Sequence, residues 1–167
     1  MRLCIVFKNM NKKELIKDIC IFAVTFVLLL TFLHFVRFPT VDGDSMSPTY
    51  ENDDRIVTLY TKSVGVNDIV IIWCEPLDEY VVKRVIGVPG DHIEIKDGHV
   101  YRNGVRLYES YVKEQDWFDA DDVVDVIVPS GEIFILGDNR STSADSRLFG
   151  TLPQDDVFGR ILFRLDF

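Results

Sequence analysis

Residues 41–50 read VDGDSMSPTY, which sets Ser45 between Asp44 and Met46, two residues after Gly43 and just ahead of a Pro48-Thr49 step. Asp, Gly, Ser and Pro each favour turns on backbone grounds, so a solvated turn is one reading of the stretch. The other is a nucleophile. A serine hydroxyl attacks a carbonyl at ordinary pH only when a neighbouring base takes its proton. The run EYVVKRVIG (79–87) offers one. Strand alternation puts Tyr80, Val82, Arg84 and Ile86 on one face and Val81, Lys83 and Val85 on the other. Lys83 then shares its face with two valines, where desolvation disfavours the ammonium and leaves a neutral amine. The competing reading is a lysine at a sheet edge whose head snorkels to water.

A third stretch, GDNRSTSADSR (137–147), follows the apolar run EIFIL and packs Asp138, Arg140, Asp145 and Arg147 among three serines. It reads either as a solvated loop or as an active-site wall whose Arg–Asp forks hold neighbouring groups in place. Asn139-Arg140-Ser141 also matches a glycosylation sequon. His92 and His99 fall in or beside a polar meander, and no Gly-x-Ser-x-Gly elbow surrounds Ser45, so a serine-histidine-aspartate triad is the weaker alternative. No metal or nucleotide motif is present, and no cofactor is expected.

These residues need a scaffold, and the charge pattern divides the chain. Before residue 38 there are six basic residues against two acidic; the rest holds twelve basic against twenty-five acidic, within a total net charge of −9. So acidic a body is a poor partner for nucleic acid. Between the basic start (1–18) and the body lies ICIFAVTFVLLLTFLHFV, Ile19 to Val36, 18 residues without a charge. That length suits a membrane-spanning helix, and the bulky FVRFPT that follows lacks the small-residue site of a cleaved signal peptide. A retained anchor over 19–37 is expected, with His34 near its outer end. Five basic residues precede it and Arg37 alone follows closely, which favours a cytoplasmic N-terminus and an extracytoplasmic body over 38–167.

The body reads as mainly β. Short runs bounded by Gly, Pro, Asn or Asp recur about every ten residues: RIVTLYT, DIVIIW, EYVVKRVIGV, HIEIK, HVYRNGVRL, VVDVIV, EIFILGD and GRILFRLDF. This is the pattern of a sandwich or barrel built from hairpins. Asp97-Gly98 and Asn103-Gly104 mark tight turns and make 91–110 a β-meander. The acidic run 112–125 reads as a surface excursion. Cys4 and Cys20 lie before or within the apolar segment and Cys74 is alone in the body, so the fold must hold by packing rather than by disulfides or a CxxC metal site.

Taken together and in order, SMSPT (45–49), YVVKRVIGVPGD (80–91) and GDNRSTSADSR (137–147), after an N-terminal anchor, resemble the bacterial type I signal peptidases. The resemblance runs from about residue 18 to the end. It implies a β-rich catalytic body behind a single transmembrane helix, with a reduced second β-subdomain around 91–132. It also implies serine endopeptidase activity that removes signal peptides from secreted preproteins bearing small residues before the cleavage site. Ser45 matches the family's nucleophile and Lys83 its general base. Met46 falls beside the nucleophile, Ser143 matches the serine that hydrogen-bonds the lysine, and Arg84, Asp145 and Arg147 match the ion-paired support, with Asp138 ordering the box. Some members carry a serine where this chain has Gly43, so the oxyanion site would rest on the Ser45 N–H and a neighbouring backbone group, with the contribution of Gly43 left open. The implied partners are preproteins and the lipid bilayer. Two other readings use the same residues: a self-cleaving repressor-type protease, and a non-catalytic membrane-anchored assembly or binding factor of the same fold.

Overall fold

The computed structural model describes residues 12–113 and 123–165, and the chain divides into two compact units, residues 1–35 and 36–167. The acidic run expected as an excursion lies, over 114–122, outside the described residues, as do residues 1–11 of the basic start.

The described residues of the first unit form one helix, α1 (Lys12–Phe35). No Gly or Pro interrupts it, and its charges sit in the N-terminal turns, ahead of the uncharged run. At 1.5 Å per residue it is about 36 Å long, enough to cross a hydrocarbon core of about 30 Å. None of its residues is buried, and its apolar window has a mean hydropathy of 2.3. The two threonines turn their hydroxyls back onto the helix, Thr25 to the Ile21 carbonyl and Thr31 to the Val27 carbonyl, so neither presents an unpaired polar group to lipid. This helix fits a membrane anchor.

The second unit is β-rich. Its strands are β1 (Val36–Arg37), β2 (Ile56–Leu59), β3 (Ile69–Cys74), β4 (Glu79–Gly87), β5 (His92–Lys96), β6 (His99–Arg102), β7 (Val105–Arg106), β8 (Val124–Ile127), β9 (Glu132–Leu136), β10 (Leu152–Pro153) and β11 (Val157–Arg164). A single helical turn, α2 (Ser146–Phe149), precedes β10. Among the described residues they form two antiparallel sheets, ordered β1-β2-β11-β3-β4-β9-β10 and β7-β6-β5-β8. Val36 and Arg37 follow the apolar helix directly in sequence, yet they pair with Leu59 and Thr58 and so belong to the large sheet.

In the smaller sheet β5, β6 and β7 are the meander expected from its turns, and β8 adds to it along β5. Asp97, Gly98, Asn103 and Gly104 all have positive φ (50°, 73°, 53° and 76°), the backbone that a two-residue hairpin turn requires. Ile93, Ile95 and Val100 from this sheet pack with Ile86, Phe134 and Leu136 of the large sheet into one core, which joins the two sheets. A second core forms on Val70, Ile72, Val81, Val85, Ile133 and Ile135. A third, on Val41, Met46, Tyr50, Ile56, Ile71 and Ile161, lies directly under VDGDSMSPTY. Met46 is fully buried there, so the residue after Ser45 pins the turn to the sheet. That is the purpose of a methionine in an otherwise polar loop.

Candidate active site

Ser45 begins a turn in which the Ser47 N–H donates to the Asp44 carbonyl and the Tyr50 N–H to the Met46 carbonyl. With Met46 and Tyr50 held in the core, Ser45 is left facing β4. Lys83, paired with Val70 across the β3–β4 hairpin, reaches it: Lys83 Nζ lies 2.8 Å from Ser45 Oγ although the two residues are 38 apart in sequence. Lys83 is 3% exposed, so it does not snorkel. Burial pushes its pKa below the ordinary 10.5, and the nearby Asp145, Cys74 and Glu79 oppose that shift only in part. A neutral amine held against a hydroxyl can take its proton.

The segment 137–147 closes the site from the other side and is not a solvated loop. The Asn139 N–H donates to the Ser45 carbonyl at 3.1 Å, and Asn139 Nδ2 donates to the Asp44 carbonyl at 3.2 Å. Thr49 Oγ1 donates to Asp138 Oδ2 at 2.5 Å. Asp138, with no exposed surface, accepts a fork from Arg84, Nε at 2.8 Å and Nη2 at 2.6 Å. Asp145 caps α2, accepts the Gly137 N–H at 3.0 Å and pairs with Arg147, whose Nη2 also donates to the carbonyls of Arg140 and Ser143. The supporting ion pairs are therefore Arg84–Asp138 and Arg147–Asp145.

Gly137 has to be glycine for a reason of space. A Cβ there would lie 2.2 Å from Ser143 Oγ and 2.5 Å from the Ser45 carbonyl oxygen. Gly137 thereby approaches Ser143 and the Ser45 carbonyl together, and the buried Ser143 Oγ has no hydrogen-bond partner in this arrangement, Lys83 included. Gly43, at φ +86°, lines the same site, but its N–H already donates to Asn52 Oδ1 at 2.9 Å. The histidines stand elsewhere: His92 pairs with Asp125 on the small sheet and His99 lies on β6, while His34 is on α1.

Ser45 and Lys83 open onto a cavity of about 730 Å³ whose apolar wall includes Ile56, Ile71, Val82 and Phe158, with Asp42, Asp44 and Glu79 also lining it. A peptide laid there would meet apolar side chains beside the hydroxyl. Two residues tied to the supporting arginines carry no sequence signal: Glu109, paired with Arg140, and Tyr111, whose ring covers Arg84. Both follow a β-run in an unremarkable polar stretch, and only the tertiary fold shows what they touch.

A buried lysine bonded to a serine hydroxyl, at the wall of an apolar cavity in a β-rich body, is a hydrolase-like arrangement. The family model described as signal peptidase, peptidase S26, matches residues 12–165. The chain is 36% identical over 173 residues to signal peptidase IB of Staphylococcus aureus, covering 92% of this chain and 90% of that protein. It is 35% identical over 161 residues to the probable signal peptidase I-1 of Synechocystis, covering 89% and 81%. Among solved structures, a signal peptidase I from Enterococcus faecalis superposes with a TM-score of 0.50 at 34% identity, over 60% of this chain and 97% of that one. The chain belongs to the signal peptidase family, peptidase S26, and is an enzyme of that hydrolase class.

Proposed function

We propose that the protein is a membrane-anchored serine endopeptidase that removes N-terminal signal peptides from secretory preproteins, with Ser45 as nucleophile and neutral Lys83 as general base. The observation that carries this reading is the 2.8 Å approach of Lys83 Nζ to Ser45 Oγ by a lysine with almost no exposed surface. Lys83 takes the hydroxyl proton as Ser45 Oγ attacks the scissile carbonyl, and the resulting ammonium gives that proton to the leaving amine. The signal peptide is left as an ester on Ser45. Lys83, neutral again, takes a proton from water; the hydroxide attacks the ester, and the proton returns to Ser45 Oγ as it leaves.

The developing oxyanion is met by the Ser45 N–H. Gly43, whose own N–H is engaged by Asn52, contributes the positive φ that lets the turn approach the cavity. Met46 fixes the turn from below. Arg84, Asp138, Asp145 and Arg147 hold the wall, and Ser143 Oγ rotates onto Lys83 as the ammonium forms. Shallow apolar walls at Ile71 and Val82 suit substrates with small residues before the cleavage site. The basic N-terminal segment lies in the cytoplasm and the catalytic body outside, where a preprotein's cleavage site emerges.

The test is cleavage of a purified preprotein by the detergent-solubilised full chain, beside Ser45→Ala and Lys83→Ala, across a pH series. Both substitutions are expected to abolish cleavage, and the wild-type rate to rise along a limb set by a lysine titrating below 10.5. Near wild-type cleavage by Lys83→Ala would remove the base from the mechanism.

A further inference from the structure

The chain leaves the small sheet after β7 and comes to rest against the back of the active site. The Leu107 N–H donates to the Val100 carbonyl and Leu107 packs on the core between the sheets, so the start of the segment is fixed to the meander. Then the exposure alternates. Tyr108 is 92% exposed, Glu109 is 5% exposed, Ser110 is exposed, Tyr111 is half-buried, and a turn closed by the Val112 N–H on the Glu109 carbonyl buries Val112.

The buried side chains reach two arginines. Glu109 accepts from Arg140 Nη1 at 3.1 Å and Nη2 at 2.5 Å, with both side chains 1% exposed, and it also accepts the Tyr111 hydroxyl at 3.0 Å. The Tyr111 ring lies 3.9 Å from the Arg84 guanidinium carbon. Each arginine adjoins a residue that touches the reacting groups: Arg84 follows Lys83, and Arg140 follows Asn139, whose N–H holds the Ser45 carbonyl. Arg140 Nε also donates to the Gly137 carbonyl at 2.9 Å, which sets the turn that aims Asn139.

We infer that Glu109 and Tyr111 are positioning residues of this active site, a strap from the small sheet that holds Arg140 and Arg84 and through them the Ser45 turn and Lys83. The inference rests on the serine-lysine reading above. A buried carboxylate-guanidinium pair is an inefficient way to gain stability, because desolvation offsets the attraction, but its fork fixes direction as a hydrophobic contact does not. A tyrosine face over Arg84 adds the second constraint, since it restricts the plane of the guanidinium whose Nε and Nη2 Asp138 grips. Neither Glu109 nor Tyr111 lines the cavity, so a slackened strap would disturb the chemistry more than the binding of substrate.

The experiment measures kcat and KM for preprotein cleavage, the rate of acylation by a serine-directed probe, and thermal melting, all on the full chain in detergent. The variants are Glu109→Gln, Tyr111→Leu and Tyr111→Phe, with Ser45→Ala and Lys83→Ala as controls. Glu109→Gln and Tyr111→Leu are expected to lower kcat and the acylation rate together by roughly tenfold per folded molecule, with KM within about twofold. Tyr111→Phe keeps the ring over Arg84 and is expected to retain at least about a third of wild-type kcat. Should Glu109→Gln not fold, the contrast between Tyr111→Leu and Tyr111→Phe decides: equal rates overturn the inference. Dead dyad variants beside strap variants of wild-type kcat overturn the strap alone. Cleavage retained by Ser45→Ala or Lys83→Ala overturns the dyad reading and the strap with it.

Discussion

Asn139 donates its backbone N–H to the carbonyl of Ser45 at 3.1 Å, and so the wall of the site holds the main chain of Ser45 itself. That contact depends on the close approach of Gly137, whose missing side chain leaves room for the Ser45 carbonyl and for Ser143.

Gly137→Ala tests the approach. Its Cβ would sit 2.5 Å from the Ser45 carbonyl oxygen and 2.2 Å from Ser143 Oγ, so both segments must move. We expect a loss of about 1–3 kcal/mol in unfolding free energy, the usual cost of overpacking. Cleavage should fall by roughly a hundredfold, because a displacement of about 1 Å near a nucleophile has that effect. Chemical denaturation and a single-substrate assay read the two losses separately; a variant as active as wild type would mean that the Asn139–Ser45 contact is dispensable.

Lys83→Met should be inactive yet more stable than wild type at neutral pH. Burial lowers the Lys83 pKa in the folded protein, whereas the unfolded chain titrates near 10.5. Between those two values the unfolded state binds more protons, so this lysine's contribution makes wild-type stability rise with pH. Below the lowered pKa the full cost of the buried ammonium is present. The advantage of methionine is therefore greatest below the lowered pKa and shrinks as pH rises from there toward 10.5, which paired thermal melts across a pH series would show.

Asp138→Asn breaks a buried pair and leaves the Arg84 guanidinium without its carboxylate. Asp138 has no exposed surface and also accepts from Thr49, so the loss reaches the Ser45 turn as well. Roughly 3 kcal/mol of stability should be lost. Thr49→Val removes only the hydroxyl donor from that carboxylate and should cost about 1 kcal/mol. Equal melting temperatures for the two variants would show that the Arg84 fork contributes nothing.

Ser143→Ala separates a structural serine from a working one. A buried hydroxyl without a hydrogen-bond partner costs about 1–3 kcal/mol, so its removal should leave the melting temperature unchanged or slightly higher. If Ser143 turns onto Lys83 during the reaction, cleavage should nonetheless drop by roughly tenfold. Unchanged kcat with raised stability would confine Ser143 to packing.

Much of this protein is legible in its sequence, for a local reason. An uncharged run of 18 residues, hairpin turns at Asp97-Gly98 and Asn103-Gly104, and apolar runs between Gly and Asp are properties of neighbouring residues, and they translate into α1, the meander and the longer strands. Strands of two residues, β1 and β10, carry no period and are visible only through their partners on β2 and β9. The order of Ser45, Lys83 and the 137–147 box likewise marks the chain's family from residue types alone.

What the tertiary structure decided is everything that depends on distance and burial. Alternation put Lys83 beside valines but left it free to be an edge lysine; the fold buried it and brought it to 2.8 Å from Ser45. Gly43 could have donated to an oxyanion as far as sequence goes, and its N–H is taken by Asn52. Glu109 and Tyr111 lie in an ordinary polar stretch until the chain folds them onto Arg140 and Arg84. Charge pairing and desolvation act through space, over separations that no window along the chain can contain, and so the chemistry of these side chains was set only when the sheets closed around them.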